Sequence, residues 1–261
     1  MANIPNNIPN RAPNDRIASR REGRHCSLSQ WLLTASLSLA IVGCGANPLK
    51  SYEKSEPSED ATVALEQGDP DKAIVILNKA LASEPENWVY VSILGLAYAE
   101  RAGIDALTLA QKMASTSTSS STNGVTSLFA IMPTATDSHI ADVDQAVALM
   151  ISIPSASRTT ADILKIAMFQ TSAMTLRTKK YDTNGDGEIS AAELLAMSTG
   201  DATTMLSQLA AAALAFSSGS STSTTDVAAA AQITSISTKI TACPGTSQET
   251  KLKNYLSKTG C

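Results

Sequence analysis

The sequence is poor in several chemistries. Aromatic residues make up 4% of it and histidine occurs twice. Outside the first forty-three residues the single histidine is His139, near a predicted helix start, where a surface or capping role is expected of it. There is no Gly-rich phosphate loop, no Gly-x-Ser-x-Gly elbow and no His-x-x-x-His pair, and paired acids occur only inside one short acidic turn. No enzyme is expected. Basic residues do not outnumber acidic ones, with 20 Lys and Arg against 24 Asp and Glu and a formal charge of −4, which argues against nucleic acid as a partner. Runs of alternating Val, Ile or Tyr are absent too, so strands are not expected.

What the chain does have is Ala, Leu, Ile and Met at helical spacing. Its 261 residues, 43% of them apolar and 17% charged, suffice for one ordinary core or two small ones. Breaks between periodic stretches carry Gly, Pro or Asp in capping positions. An all-α protein is predicted, with helices over about 59–67, 71–83, 88–101, 104–114, 138–152, 160–180, 191–198, 202–216, 226–241 and 248–258. Residues 115–122 are all Ser or Thr, and 217–225 are Ser or Thr apart from Gly219. Such tracts bury too little to offset their ordering entropy, and they read as connections. The predicted layout is a head over 1–43, a polar tether over 44–57, helices over 58–114, a Ser/Thr-rich linker over 115–124 and a helical domain over 125–261. A single continuous stack of helices is equally consistent with this pattern.

The head begins with a polar, positive stretch holding five Arg (11, 16, 20, 21 and 24), followed by an uncharged dozen from Trp31 to Val42. That order is the one of a secretory signal, and the apolar run is short for a permanent membrane-spanning helix, which needs about 20 residues. Ile41-Val42-Gly43-Cys44 resembles the lipobox of bacterial lipoproteins. The resemblance implies cleavage after Gly43, attachment of diacylglycerol to the Cys44 sulfur and acylation of the new amine. Two or three acyl chains make a durable anchor. Gly45 after the lipidated position implies sorting to the outer membrane. Removal of the head would leave fifteen basic and twenty-two acidic side chains, a charge of −7. With Cys26 removed and Cys44 lipidated, Cys243 and Cys261 remain as an even pair in an oxidising compartment and are expected to form a disulfide. Between them Thr246-Ser-Gln-Glu249 reads as a capping box opening a short helix with Leu252, Tyr255 and Leu256 on one face.

Residues 54–114 resemble tetratricopeptide repeats. Gly68, Ala73, Leu77, Ala80 and Pro85 stand at the spacings of that family's second helix and turn, and Leu94-Gly95 and Tyr98 follow at the offsets of the next unit. Leu107 departs from the pattern at a position the family gives to Ala. The resemblance implies stacked helical hairpins whose concave face binds peptides or proteins; Tyr90 and Glu100 are candidates to line it. At least three such units are usually needed for a stable stack, so downstream helices must close the exposed end. Ile140, Val143, Val147 and Met150 offer a suitable face.

The strongest motif is Asp182-Thr-Asn-Gly-Asp-Gly-Glu-Ile-Ser-Ala-Ala-Glu193, which fits the EF-hand loop over all twelve positions. Calcium is a hard cation that takes six to eight oxygens, and a twelve-residue turn can supply them only with a residue lacking a side chain at its middle. Gly187 is that residue. The resemblance assigns side-chain oxygens to Asp182, Asn184 and Asp186, the backbone carbonyl to Glu188, a water-mediated contact to Ser190 and both carboxylate oxygens to Glu193. Ile189 is the apolar peg of the loop. Four acids in twelve residues repel one another unless a cation is present. Arg177 and Thr178 stand where the family places apolar residues, and Ser198 and Asp201 shorten the exit helix. Without a second loop, Ile189 must pack on another helix or a second molecule.

Together these features predict a lipid-anchored, Ca²⁺-binding helical scaffold for protein interactions at the periplasmic face of the outer membrane. The alternative is an accessory lipoprotein of a transport or outer-membrane assembly system, holding a small ligand or docking on a membrane complex.

Overall fold

The computed structural model describes residues 55–261 apart from 107, 110, 112–123, 219–223 and 259–260, and omits the side chains of 224–226, 228 and 229. The signal, Cys44 with its lipobox, most of the tether, Leu107 and the Ser/Thr tract at 115–122 lie outside the described residues. Among the described residues all regular structure is helical, as expected for an all-α fold. No described helix is long and apolar enough to cross a membrane.

Helix α1 (Pro57–Glu66) and α2 (Pro70–Ser83) each begin with proline, whose missing N–H is harmless in a first turn. Asp69 caps α2 by accepting from Lys72 N at 3.1 Å, and Asn87 caps α3 (Trp88–Arg101) through Tyr90 N at 3.4 Å. These three helices pack on one another in succession, and α1 also touches α3. Their shared core is Ala61, Ala64, Leu65, Ala73, Ile74, Leu77, Leu94 and Ala97, with Tyr90. The small residues bring the backbones close and Leu77, fully buried, fills the space between them.

The open side of α3 is closed by α4 (Asp137–Ser152), whose Val143, Ala146 and Met150 are fully buried. Gly95 makes this approach possible, because a Cβ there would stand 3.0 Å from Met150 Sδ. Arg101 fastens the same junction. Its guanidinium donates to both carboxylate oxygens of Asp142, at 3.0 and 2.5 Å, and to Asp71 at 3.1 Å, while resting 4.7 Å above the Tyr98 ring. Residues 55–261 thereby form one compact unit.

At its centre runs α5 (Thr160–Lys179), opened by a capping box between Thr159 and Asp162. Every residue from Ile166 to Leu176 is buried. Three of its buried polar side chains are satisfied within the helix, since Thr171, Thr175 and Thr178 each donate to the carbonyl four residues earlier at 2.8 Å. Helix α6 (Thr199–Ser218) packs along α5, α7 (Thr224–Ala242) along α6, and α8 (Gln248–Leu256) against both α6 and α7. A 3-10 segment, Thr126–Ile131, adds the buried Leu128 and Phe129 to the core. The predicted disulfide is present between Cys243 and Cys261, whose Cα atoms are 5.1 Å apart. The cap of α8 is Ser247, which accepts from Thr250 N, and not the box opened by Thr246.

A candidate metal loop at the end of the central helix

Helix α5 delivers the chain through Lys179, Lys180 and Tyr181 to the acidic turn. Lys179 is fixed beneath it, donating to the carbonyls of Phe129 and Met132 at 2.8 Å each. Burial lowers its pKa, and the neighbouring Asp182 opposes that shift. The Tyr181 hydroxyl donates to Asp201 at 2.7 Å, and burial together with this bond raises its pKa to about 12. The turn is thus anchored at its entry from two sides.

Inside the turn the side chains fold back on the backbone in the order of the motif. Asp182 accepts from the N–H groups of Gly185 at 2.8 Å and Gly187 at 3.0 Å. Asn184 Oδ1 accepts from Asp186 N at 3.0 Å, and Asp186 Oδ1 accepts from Glu188 N at 2.8 Å. Gly185 and Gly187 both adopt the left-handed region, at φ +72° and +79°, where a side chain is strained even though each has open space around its Cβ position. Ile189 is buried in the main core. It therefore finds its partner within the same chain, and a second molecule is not needed to cover it.

Glu193 closes the loop. One of its oxygens accepts from Thr183 N and Oγ1 at 3.0 Å each, the other from Ser190 N at 2.9 Å and Ser190 Oγ at 2.8 Å. The Ser190 amide and hydroxyl, helped by those of Thr183, outweigh burial and lower its pKa to about 2. The Glu188 side chain turns out of the loop.

Asp182, Asn184, Asp186, Glu188, Ser190 and Glu193 thus lie on one turn in the predicted order. Their donors are all oxygens, which suits a hard cation, and the two left-handed glycines give the backbone the path such a loop needs. In type, order and backbone conformation the residues fit Ca²⁺. Their carboxylates do not yet converge: among the described residues no group of three or more His, Cys, Asp or Glu is arranged to hold a metal ion. Glu193 is the reason on the closing side, since both its oxygens are spent on Thr183 and Ser190.

Two sequence expectations are corrected here. The exit helix predicted over 191–198 is a 3-10 turn, Glu193–Ala196, with Leu194 and Met197 buried and Leu195 85% exposed. Ser198 ends it by capping α6, accepting from Asp201 N at 3.0 Å. Tyr90, expected to line a binding face, is buried in the α1–α3 core, while Glu100 is half-buried with its pKa raised by burial and by Asp105. The apparent misfits of the entry helix have partners instead: Arg177 pairs with Asp144 at 2.5 and 2.8 Å, and Thr178 bonds back to its own helix. His139 occupies the first turn of α4, its Nδ1 2.7 Å from the Thr134 carbonyl.

A cleft of about 700 Å³ lies beside the loop, between the Thr126–Ile131 segment and Asp182, Gly185, Asp186 and Gly187. It is not readable from local pattern, because Phe129 and Ala130 sit some fifty positions before the residues they face. No family of known proteins matches the chain, and neither a curated protein nor a solved structure is detectably similar to it.

Proposed function

We propose that this chain is a calcium-binding helical scaffold, tethered by lipid at Cys44 to the periplasmic face of the outer membrane, which presents tetratricopeptide-like helices to a protein partner. The observation that carries the reading is the acidic turn, where Asp182, Asn184 and Asp186 each accept loop N–H groups at the first, third and fifth positions of a twelve-residue oxygen-donor motif. Asp182, Asn184, Asp186, Ser190 and Glu193, with the Glu188 carbonyl, would hold the ion. Bound Ca²⁺ supplies two positive charges that offset the mutual repulsion of the loop acids and tie the end of α5 to the start of α6. The role is structural where the surrounding calcium is steady, as for extracellular modules with Kd of ~10⁻⁴–10⁻³ M.

The scaffold part of the reading is supported by the succession of α1, α2 and α3 on one core and by three valines left largely exposed there: Val63, Val75 and Val89, at 48, 68 and 60%.

Calorimetric titration of the full chain with Ca²⁺, and thermal melts with calcium or chelator, test the ion site. A hundredfold excess over Kd stabilises by about 2.7 kcal/mol, which raises Tm by roughly 5–10 °C for a unit of this size. Glu193→Gln is expected to abolish the gain. Identical melts in calcium and chelator reject the site. For the anchor, the mass of the envelope-extracted protein is expected to include acyl chains that Cys44→Ser removes.

A further inference from the structure

Glu188 holds the seventh position of the acidic loop. Its carboxylate leaves the loop and meets Lys258 Nζ at 2.6 Å, seventy residues later in the chain. Among the described ion pairs it is the only one to engage a carboxylate of the loop. The approach of Lys258 is built by the fold. It follows the last turn of α8, where it is the single described non-glycine residue with positive φ, at +55°. Its own N–H donates to the Tyr255 carbonyl at 3.3 Å.

Helix α8 is fixed in place by buried Leu252, Tyr255 and Leu256. Two further contacts bind it to the exit side of the loop: Lys253 Nζ donates to the Met197 carbonyl at 2.9 Å, and Glu249 accepts from Thr199 Oγ1 at 2.7 Å. Three residues beyond Lys258, Cys261 is bonded to Cys243 at the end of α7. Lys258 thus follows a docked helix and precedes a covalently fixed Cys261, and its ammonium stands beside the loop.

We propose that Lys258 is a built-in counter-charge of the acidic loop, held there by the disulfide-closed C-terminal segment, which neutralises Glu188 and weakens the loop's grip on a divalent cation. The inference rests on the calcium reading and adds a residue that sets the affinity of that site. Its sign follows from charge. A positive group near a divalent ion repels it, and pairing with Glu188 removes one of the negative charges that would attract it. Both side chains are substantially exposed, at 43 and 66%, so the effect is screened by salt.

The test is calcium titration of the full chain beside Lys258→Met, Lys258→Arg, Glu188→Gln and Cys243→Ser/Cys261→Ser. At low ionic strength Lys258→Met is expected to bind about two- to fivefold more tightly. Lys258→Arg should behave as the native chain and Glu188→Gln should bind more weakly. Removing the disulfide should tighten binding, and adding Lys258→Met to it should gain little more. At about 1 M salt the differences should vanish. Unchanged or weaker binding by Lys258→Met overturns the proposal, as does a salt-independent difference, since a purely structural contact would lower affinity in both Lys258→Met and Glu188→Gln. Hydrogen exchange of the cation-free protein separates this failure from that of the calcium reading. The contact predicts faster exchange at the amides of 183–190 in Lys258→Met, and unchanged exchange removes it. A native chain that binds no calcium overturns the site and the affinity effect together, leaving exchange to decide on the contact alone.

Discussion

Ser92 on α3 and Asp162 on α5, seventy positions apart in the chain, meet in a 2.6 Å hydrogen bond inside the protein. Lys165 completes the junction by donating to the same serine oxygen at 2.8 Å. The other Asp162 oxygen accepts from Thr159 N and Oγ1, so one carboxylate both caps α5 and docks the α1–α3 layer onto it. Burial alone would raise the Asp162 pKa, but the bonds from Ser92 and Thr159, with Lys165, outweigh it and bring the net shift down.

The consequence for pH follows from that direction. A carboxyl with a folded-state pKa below its unfolded value near 3.9 contributes stability that is fully present above about pH 4. That contribution is lost as the pH falls through the folded pKa. Asp162→Asn is therefore expected to cost about 1–3 kcal/mol at neutral pH, since it disturbs a cap and a buried junction at once. It should also flatten the acid limb of the stability curve between pH 5 and pH 2. Urea unfolding at a series of pH values checks both; equal acid sensitivity in the two proteins counts against the assignment.

Helix starts were legible from the sequence to within a residue for α2, α3 and α5, predicted over 71–83, 88–101 and 160–180, and in the structure each stands behind a polar cap, Asp69, Asn87 and Thr159. The exit from the acidic loop was legible only in part: Ser198 and Asp201 mark its early end, but the pull of Ser190 on Glu193, eight residues before Ser198, does not show in the pattern. Ser190 is drawn to Glu193, Ser198 opens α6, and only a 3-10 turn fits between them. The order of donors in the loop was readable because it is local. The Lys258–Glu188 pair, the Lys179 bonds to Phe129 and Met132, and the Arg101–Asp142 pair were not, because each joins residues forty or more positions apart.

The close crossing of α3 and α4 gives a second prediction. A methyl group on residue 95 would meet Met150 Sδ at 3.0 Å and Cγ at 3.2 Å, and the Ala146 carbonyl at 3.5 Å. Alanine also gains about 1 kcal/mol of helix propensity over glycine, and the flexible methionine can yield a little, so Gly95→Ala should be close to neutral. Gly95→Val has no such escape and is expected to cost about 1–3 kcal/mol through overpacking. Shortening the neighbour, as in Gly95→Val with Met150→Ala, should recover part of that loss. Independent, additive costs for the two substitutions would show that these side chains do not meet.

The disulfide closes a short loop around α8, joining cysteines 18 positions apart. Loop-closure entropy for that length corresponds to about 3 kcal/mol. Cys243→Ser/Cys261→Ser is expected to lower unfolding stability by up to this amount while keeping the helical content, because Leu252, Tyr255 and Leu256 still dock α8 on the core. Far-ultraviolet circular dichroism during urea unfolding, with thiol counting on the native chain, checks it.

The last prediction joins the loop to the core. Ile189 is 4% exposed and belongs to the same buried cluster as Leu194, Met197 and Met205, so the acidic turn is held by an apolar peg as well as by its hydrogen bonds. Truncation to alanine removes buried methylenes and leaves a cavity, for about 2–4 kcal/mol. The peg follows Glu188 and precedes Ser190, so its loosening should also disturb the carbonyl at the seventh position and the ninth-position hydroxyl. Ile189→Ala is therefore expected to lower stability without calcium and to weaken calcium binding as well, whereas a core truncation far from the loop, Leu77→Ala, should do only the first. Equal calcium affinity in Ile189→Ala and the native chain would mean that the turn keeps its shape without its anchor.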